Sequence, residues 1–269
     1  MKFEDYVRSE DALFHYTKKS ILFEYIIPSM KLRLSPINKT NDPKEYKEWY
    51  YNEVAIGGNA SFNSKKKFEA QTKLNDLRLQ KSKVACFCSN IDYYDEFNII
   101  EEAKRKICGY EKSRMWSQYG EEHSGICLVF SKEELEKILD TITAEKIKSF
   151  KDIMDYRIIN LSDFPIIEIN KLNRKGVEKY CEEKIQNEQK TFFFTKDEDY
   201  KDESEFRIVI LSENEDYFFI DIAMCLKGII VGDKFPEVYH SLLLQISNEK
   251  NIEIRKLTYS KGNYLPLRI

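Results

Sequence analysis

Hydrophobic positions fall into short runs and alternations along this chain, with few long helical stripes. Ala12-Leu13-Phe14-His15-Tyr16-Thr17 reads as an apolar strand. A helix is expected after it, from about residue 18 to 26, ending before Pro28, whose missing N–H interrupts a helical ladder. Residues 31–35 alternate polar and apolar and read as a short strand. Asn38-Lys39-Thr40-Asn41-Asp42-Pro43 is rich in turn formers. Residues 44–83 read as mainly helical, residues 84–88 as a buried strand, and residues 91–112 as polar and irregular.

Residues 124–130 form another strand pattern, with Ile126, Leu128 and Phe130 on one face. Ser131 then caps a helix, and Glu134 three residues later completes a capping box. Residues 153–160 suit an edge strand. Val177, Cys181 and Ile185 recur every four residues, which predicts a helix over 173–190. Over 205–211, Phe206, Ile208 and Ile210 alternate with Glu205, Arg207 and Val209, a clear strand. The last third reads as strand 226–231, helix 236–248 opened by Pro236, and strand 252–259. Strands and helices are interspersed without strict alternation, and neither a repeat nor a linker divides the chain. One α+β domain spanning residues 1–269 is expected.

Composition narrows the function. With 42% hydrophobic residues and 13% aromatic, the chain can bury an ordinary core, so disorder is not expected. A net charge of -3 points to neither nucleic acid nor membrane as a whole-molecule partner, although a local basic patch remains open. Lys65, Lys66, Lys67, Lys73, Arg78, Lys81 and Lys83 interleave with Phe68, Leu74, Leu77 and Leu79, and a solvated helix face is favoured over a phosphate-binding surface. The six cysteines sit in apolar runs such as Val84-Ala85-Cys86-Phe87-Cys88, so buried reduced thiols are expected. Without a CxxC pair, and with three histidines, a zinc site is not expected. The N-terminus is acidic and amphipathic, unlike a signal peptide, and no apolar run approaches membrane-spanning length, so the cytoplasm is the expected location. Neither GxGxxG nor GxxxxGK[ST] occurs, which removes support for Rossmann and P-loop sites.

Four constellations could carry chemistry. His15-Tyr16-Thr17 ends an apolar strand, where an imidazole can donate from one nitrogen, accept at the other and hold a ribose hydroxyl without charge; a backbone-satisfied histidine is the plainer alternative. Met115-Trp116-Ser117-Gln118-Tyr119-Gly120, followed by His123, offers rings that could stack on a base, against core packing of Trp116. Glu203-Ser204-Glu205-Phe206-Arg207, read with period two, puts two carboxylates and a guanidinium on one face, against a solvated ion pair. Asn41-Asp42-Pro43-Lys44-Glu45 could bind substrate or simply turn the chain. Cys86 and Cys88 share a strand face, with no local cation to favour a thiolate.

Taken in order, Leu13–Thr17, residues 32–35, Asn41–Glu45, Cys86–Ser89, Met115–Tyr119 with His123–Gly125, Thr195-Lys196, Glu203–Arg207 and Ile229–Gly232 resemble the bacterial domain of unknown function 2971 family, whose members often accompany phage-defence genes. Tyr200 stands where that pattern has Trp, and Lys44 where it has an aromatic. The same order is more distantly similar to the ADP-ribosyltransferases of the DarT type. That resemblance implies a mixed central sheet split in two halves around a cleft and flanked by helices. It also implies NAD as substrate, an acceptor that is nucleic acid or protein, and a role as a defence or toxin effector with a possible partner protein. Glu205 would stabilise the ribosyl cation, with Glu203 orienting or deprotonating the acceptor. His15, with Tyr16 and Thr17 beside it, would hold the adenosine-side ribose. Trp116 or Tyr119, near His123, would stack on nicotinamide, and Arg207 would keep Glu205 ionised or touch a phosphate. No metal is required. The alternatives are a non-enzymatic module that binds a nucleotide or partner, and a nuclease in which Asp42, Glu45, Glu203 and Glu205 assemble around Mg²⁺.

Overall fold

The computed structural model describes residues 1–55, 64–93, 105–145, 147–213, 216–260 and 263–268. Ten strands form one sheet: β1 (Ala12–Thr17), β2 (Lys31–Pro36), β3 (Ser82–Ser89), β4 (Ile126–Ser131), β5 (Ser149–Ile153), β6 (Glu205–Leu211), β7 (Phe218–Asp221), β8 (Leu226–Val231), β9 (Glu253–Ser260) and β10 (Asn263–Arg268). Neighbours run β7-β2-β3-β1-β4-β8-β9-β10, with β6 also on β3 and β5 beyond β6. The β8–β9 pair is parallel and the other pairs are antiparallel, so this is an α+β protein built on a mixed sheet flanked by helices. Among the described residues no helix is long and apolar enough to cross a membrane.

The sheet forks at β3. One edge of β3 is covered by β6 from Ser82 to Cys88. The other edge is shared: Cys88 and Ser89 pair with Phe14 and Leu13 of β1, whereas Lys83 and Val84 pair with Pro36 and Ser35 of β2. Between these contacts Ala85, Cys86 and Phe87 pair with β6 alone. β1 and β2 therefore diverge from a common floor.

Alternation along the strands sorts side chains onto two unlike faces. On one, Leu13, Leu32, Leu34, Ala85, Phe87, Leu128, Phe130, Phe206, Ile208 and Ile229 join Leu135, Leu139, Leu243 and Ile246 from two flanking helices in one continuous core. The other face carries two cores. Val84, Phe150 and Val209 pack under the helices Ser64–Asp76 and Val177–Asn187, and Phe14, Tyr16, Cys127, Val129 and Ile230 pack with Trp116. Glu205 and Arg207 alternate with Phe206 and Ile208, and so face this divided side.

Several elements differ from the sequence expectation for local reasons. The helix after β1 runs on to Ser29, because a wide turn over Leu22–Ile26, closed by the Ile27 N–H on the Leu22 carbonyl, shifts the ladder around Pro28. Residues 44–83 are not one helical stretch: Pro43–Tyr46 is a single turn, Glu53–Val54 is extended, and the long helix is Ser64–Asp76. Ile91–Tyr93 and Arg105–Ile107 pair within the segment read as irregular, part of which, 94–104, lies outside the described residues. The main sheet's edge strand is Ser149–Ile153, ahead of the expected 153–160, within which Asp155–Arg157 instead pairs in parallel with Thr195–Asp197. Gly176, at φ 77°, divides the helix expected over 173–190. Ser131 accepts from the Glu134 N–H at 3.2 Å, but its own N–H goes to the Cys225 carbonyl, so half of the capping box forms. All six cysteines are free and buried or half-buried. Of the basic stretch, Lys67, Lys73 and Lys81 pair at the surface with Glu53, Glu178 and Glu213, whereas Arg78 and Lys83 are buried and donate to backbone carbonyls, so it is a solvated face only in part.

Candidate functional site

The gap between the two cores on the divided face opens into a cleft of about 600 Å³. His15, Tyr16, Thr17, Asn41, Glu45, Tyr119, Glu203, Glu205 and Arg207 all line it, together with Cys86, Gln118 and Lys196. Residues from six separate stretches of chain thus converge on one space.

Glu205 opens β6 and is 4% exposed. Its Oε1 accepts from Arg207 Nε at 2.6 Å, and its Oε2 from Lys196 Nζ at 3.2 Å. Burial alone would raise its pKa, but the Arg207 guanidinium and the Lys196 ammonium outweigh that and bring it down to about 2. Arg207 also donates through Nη1 to Glu45 and to the Phe193 carbonyl. Lys196 reaches Glu203 Oε2 at 2.7 Å, and Tyr119 donates its hydroxyl to Glu203 Oε1 at 3.0 Å. Three carboxylates and two cations are therefore interlocked, and Glu45 Oε2 is buried with no partner. Against burial, which lowers it, the Glu205 and Glu45 carboxylates hold the Lys196 ammonium well above its ordinary pKa.

Glu203 reaches this cluster by an unexpected route. It is not on the strand; it ends the tight helical turn Glu198–Glu203, and Ser204 follows in the left-handed region at φ 45°. A non-glycine residue there costs about 1–2 kcal/mol. The reversal swings Glu203 back toward Lys196, so the two carboxylates share one ammonium without sharing a strand face.

His15 comes from the far side of the sheet. It alternates with Phe14 and Tyr16, which pack in the core containing Trp116, and it reaches the cleft through the fork. Its Nδ1 lies 2.9 Å from the Cys86 carbonyl oxygen. A carbonyl accepts, so Nδ1 carries the proton and Nε2 keeps its lone pair. Burial lowers the pKa and favours this neutral form, with the Cys86 hydrogen bond opposing it. The Cys86 thiol lies in hydrogen-bonding reach of Glu205, and burial, followed by that carboxylate, pushes its pKa far up, so it is no thiolate.

Other expected residues lie elsewhere. Trp116 is 0% exposed; its Nε1 donates to the Tyr110 carbonyl at 2.7 Å and its ring meets Tyr16 edge-on, so it cannot stack on a ligand in the cleft. His123 lies between the Trp116 and Tyr264 rings, 3.4 Å from Asp233, and does not line the cleft. Asp42 caps the turn Pro43–Tyr46 by accepting from Lys44 N–H at 2.9 Å, and it faces a separate small cavity beside Trp49 and Arg78. The sequence reading gave Lys196 no chemical role. The available signal is a lysine two residues after Phe192-Phe193-Phe194, a cation close behind a buried run.

Residues 115–208 match the profile of DUF2971, a family described as protein of unknown function. The matched stretch contains Tyr119, Lys196, Glu203, Glu205 and Arg207, whereas His15 and Glu45 lie before it. No curated protein and no solved structure matches the chain.

Proposed function

We propose that this protein cleaves the nicotinamide–ribose bond of NAD and passes the ADP-ribosyl group to an acceptor or to water, on an ADP-ribosyltransferase-like scaffold. The observation that carries this reading is Glu205, a buried carboxylate held ionised by Arg207 and Lys196, lining one cleft with a neutral His15. As the C1′–N bond breaks, its electron pair leaves with the nicotinamide nitrogen and positive charge builds on the ribose. A fixed carboxylate stabilises that charge without reorganising. With so low a pKa, Glu205 suits an electrostatic role over proton abstraction. Glu203, beside Tyr119, is positioned to orient the attacking oxygen, whose proton is lost as the C1′–O bond forms. His15 Nε2 accepts from a ribose hydroxyl.

A Mg²⁺ nuclease is less well supported. Glu45, Glu203 and Glu205 do converge, but the cations between them are Lys196 and Arg207, and Asp42 faces another cavity. Release of nicotinamide from NAD by purified protein, lost in Glu205→Gln, is the expected result. No release by the wild-type protein, with or without added nucleic acid, would overturn the reading.

A further inference from the structure

We propose that the fork holds a second binding chamber, for a nucleoside monophosphate, distinct from the carboxylate cluster. The cleft continues past His15 and Cys86 into a space of about 850 Å³ between β2 and the helical stretch that follows β1. Its chemistry is unlike that around Glu205. Leu32 and Leu34 are buried in the continuous core, so Lys31, Arg33 and Ser35 turn toward the chamber. The Arg33 guanidinium lies 4.4 Å from the centre of the Tyr217 ring. Phe219 stands opposite Arg33 across the β2–β7 pair and is half exposed, and Tyr25 presents a third accessible ring. His15, Arg33, Ser35, Lys39, Thr40 and Cys86 line both this chamber and the carboxylate cleft, so the two spaces are continuous along β2. Glu24 is the carboxylate among these lining residues.

Several lysines elsewhere are paired with acids, among them Lys44 with Asp197, Lys67 with Glu53 and Lys148 with Glu182. Lys31 has Asp221 opposite it in the β2–β7 register. Arg33 and Lys39 have no ion-pair partner among the described residues. Two unmatched cations beside accessible ring faces complement a phosphate joined to a planar base: guanidinium and ammonium take the phosphate oxygens, and the rings take the base. The Ser35 and Thr40 hydroxyls are then placed for a sugar. The volume falls in the usual range for a small ligand. A lipid chain would leave both cations unmatched, and inorganic phosphate would leave the rings unused. A nucleoside monophosphate satisfies both.

The proposal does not depend on the reaction assigned to Glu205, and its test is kept apart from that reaction. Calorimetry at low salt uses the Glu205→Gln protein with adenosine monophosphate and uridine monophosphate; adenosine, inorganic phosphate and a short single-stranded oligonucleotide serve as comparisons. The monophosphates are expected to bind, with adenosine and phosphate each at least about tenfold weaker. Arg33→Ala should weaken monophosphate binding by about tenfold or more, and Phe219→Ala by about fivefold or more. Both side chains are accessible, so circular dichroism and thermal melting of the two variants should match the parent protein. Absence of monophosphate binding, binding unchanged in Arg33→Ala, or binding of the oligonucleotide alone would each overturn the proposal. Monophosphate binding together with no nicotinamide release by the wild-type protein would end the reading of Glu205 and leave this one standing.

Discussion

Lys196 and Glu205 form a buried ion pair, Nζ to Oε2 3.2 Å, between residues of two different strands. Lys196 sits in Thr195–Asp197, which pairs in parallel with Asp155–Arg157, so a lysine far from β6 in hydrogen-bonding terms ends up against its first residue. Removing one member of a buried pair leaves the other charged and uncompensated. Lys196→Met is expected to cost about 3–5 kcal/mol in urea denaturation. A loss below about 1 kcal/mol would mean that the carboxylates find other partners or take up protons.

Acid should act on the same cluster. Burial raises the Glu205 pKa, the Arg207 and Lys196 charges outweigh it, and the value falls from 4.5 to about 2. A depressed folded-state value gives stability that is present above the unfolded pKa and drains away as pH falls toward the folded one. Wild-type stability should therefore drop steeply between about pH 4.5 and 2, and Glu205→Gln should flatten that slope. Equal slopes in the two proteins would locate the acid sensitivity elsewhere.

His15 gives a second pH window by the same sign. Burial depresses its pKa below 6.5, so the unfolded chain takes the proton first and stability is lost as pH falls below that value. The denaturation midpoint should fall between about pH 7.5 and 5.5 by more in the wild type than in His15→Asn, whose side-chain amide can still donate to the Cys86 carbonyl. An identical fall in both would show that His15 does not feel its burial.

Much of this arrangement was readable from residue order, and the exceptions have physical causes. Alternation placed Glu205 and Arg207 on one face because strand geometry leaves little choice. It misplaced Glu203 because period two cannot register a left-handed Ser204. Trp116 attracted a binding role as a large ring with a polar tip, yet an indole whose N–H is satisfied by a carbonyl is cheaply buried. The convergence of Lys196, Glu45 and His15 depends on pairings between distant segments and on a fork in the sheet, neither of which has a local signature.

The two aromatics of the Met115–Tyr119 segment should separate cleanly in mutation. Trp116→Ala is expected to cost about 3–5 kcal/mol by opening a cavity under Tyr16. Tyr119→Phe removes one hydrogen bond to Glu203 and should cost about 1 kcal/mol while altering turnover. Thermal denaturation set beside an activity assay reads both. A Trp116→Ala protein of near wild-type stability would contradict the packing described.

Gly232 marks a backbone contact with no room for a side chain: an added Cβ would lie 1.9 Å from the His123 carbonyl oxygen. His123 ends a run, Glu121 to His123, in which every φ is positive. Gly232→Ala should destabilise by more than about 2 kcal/mol. Glu122→Gly, at an exposed position with φ 52°, should stabilise by up to about 1 kcal/mol. Chemical denaturation of the pair tests both signs, and a neutral Gly232→Ala would show that the contact can relax.

The oxygen that fixes the proton on His15 is main chain, and main chain outlasts substitution. Any residue able to keep an extended backbone at position 86 offers the same acceptor, so the tautomer is insulated from drift in its immediate neighbour. What can vary there is the thiol's hold on Glu205. Evolution could retune the acidic wall at that position while the imidazole opposite keeps its lone pair aimed as before.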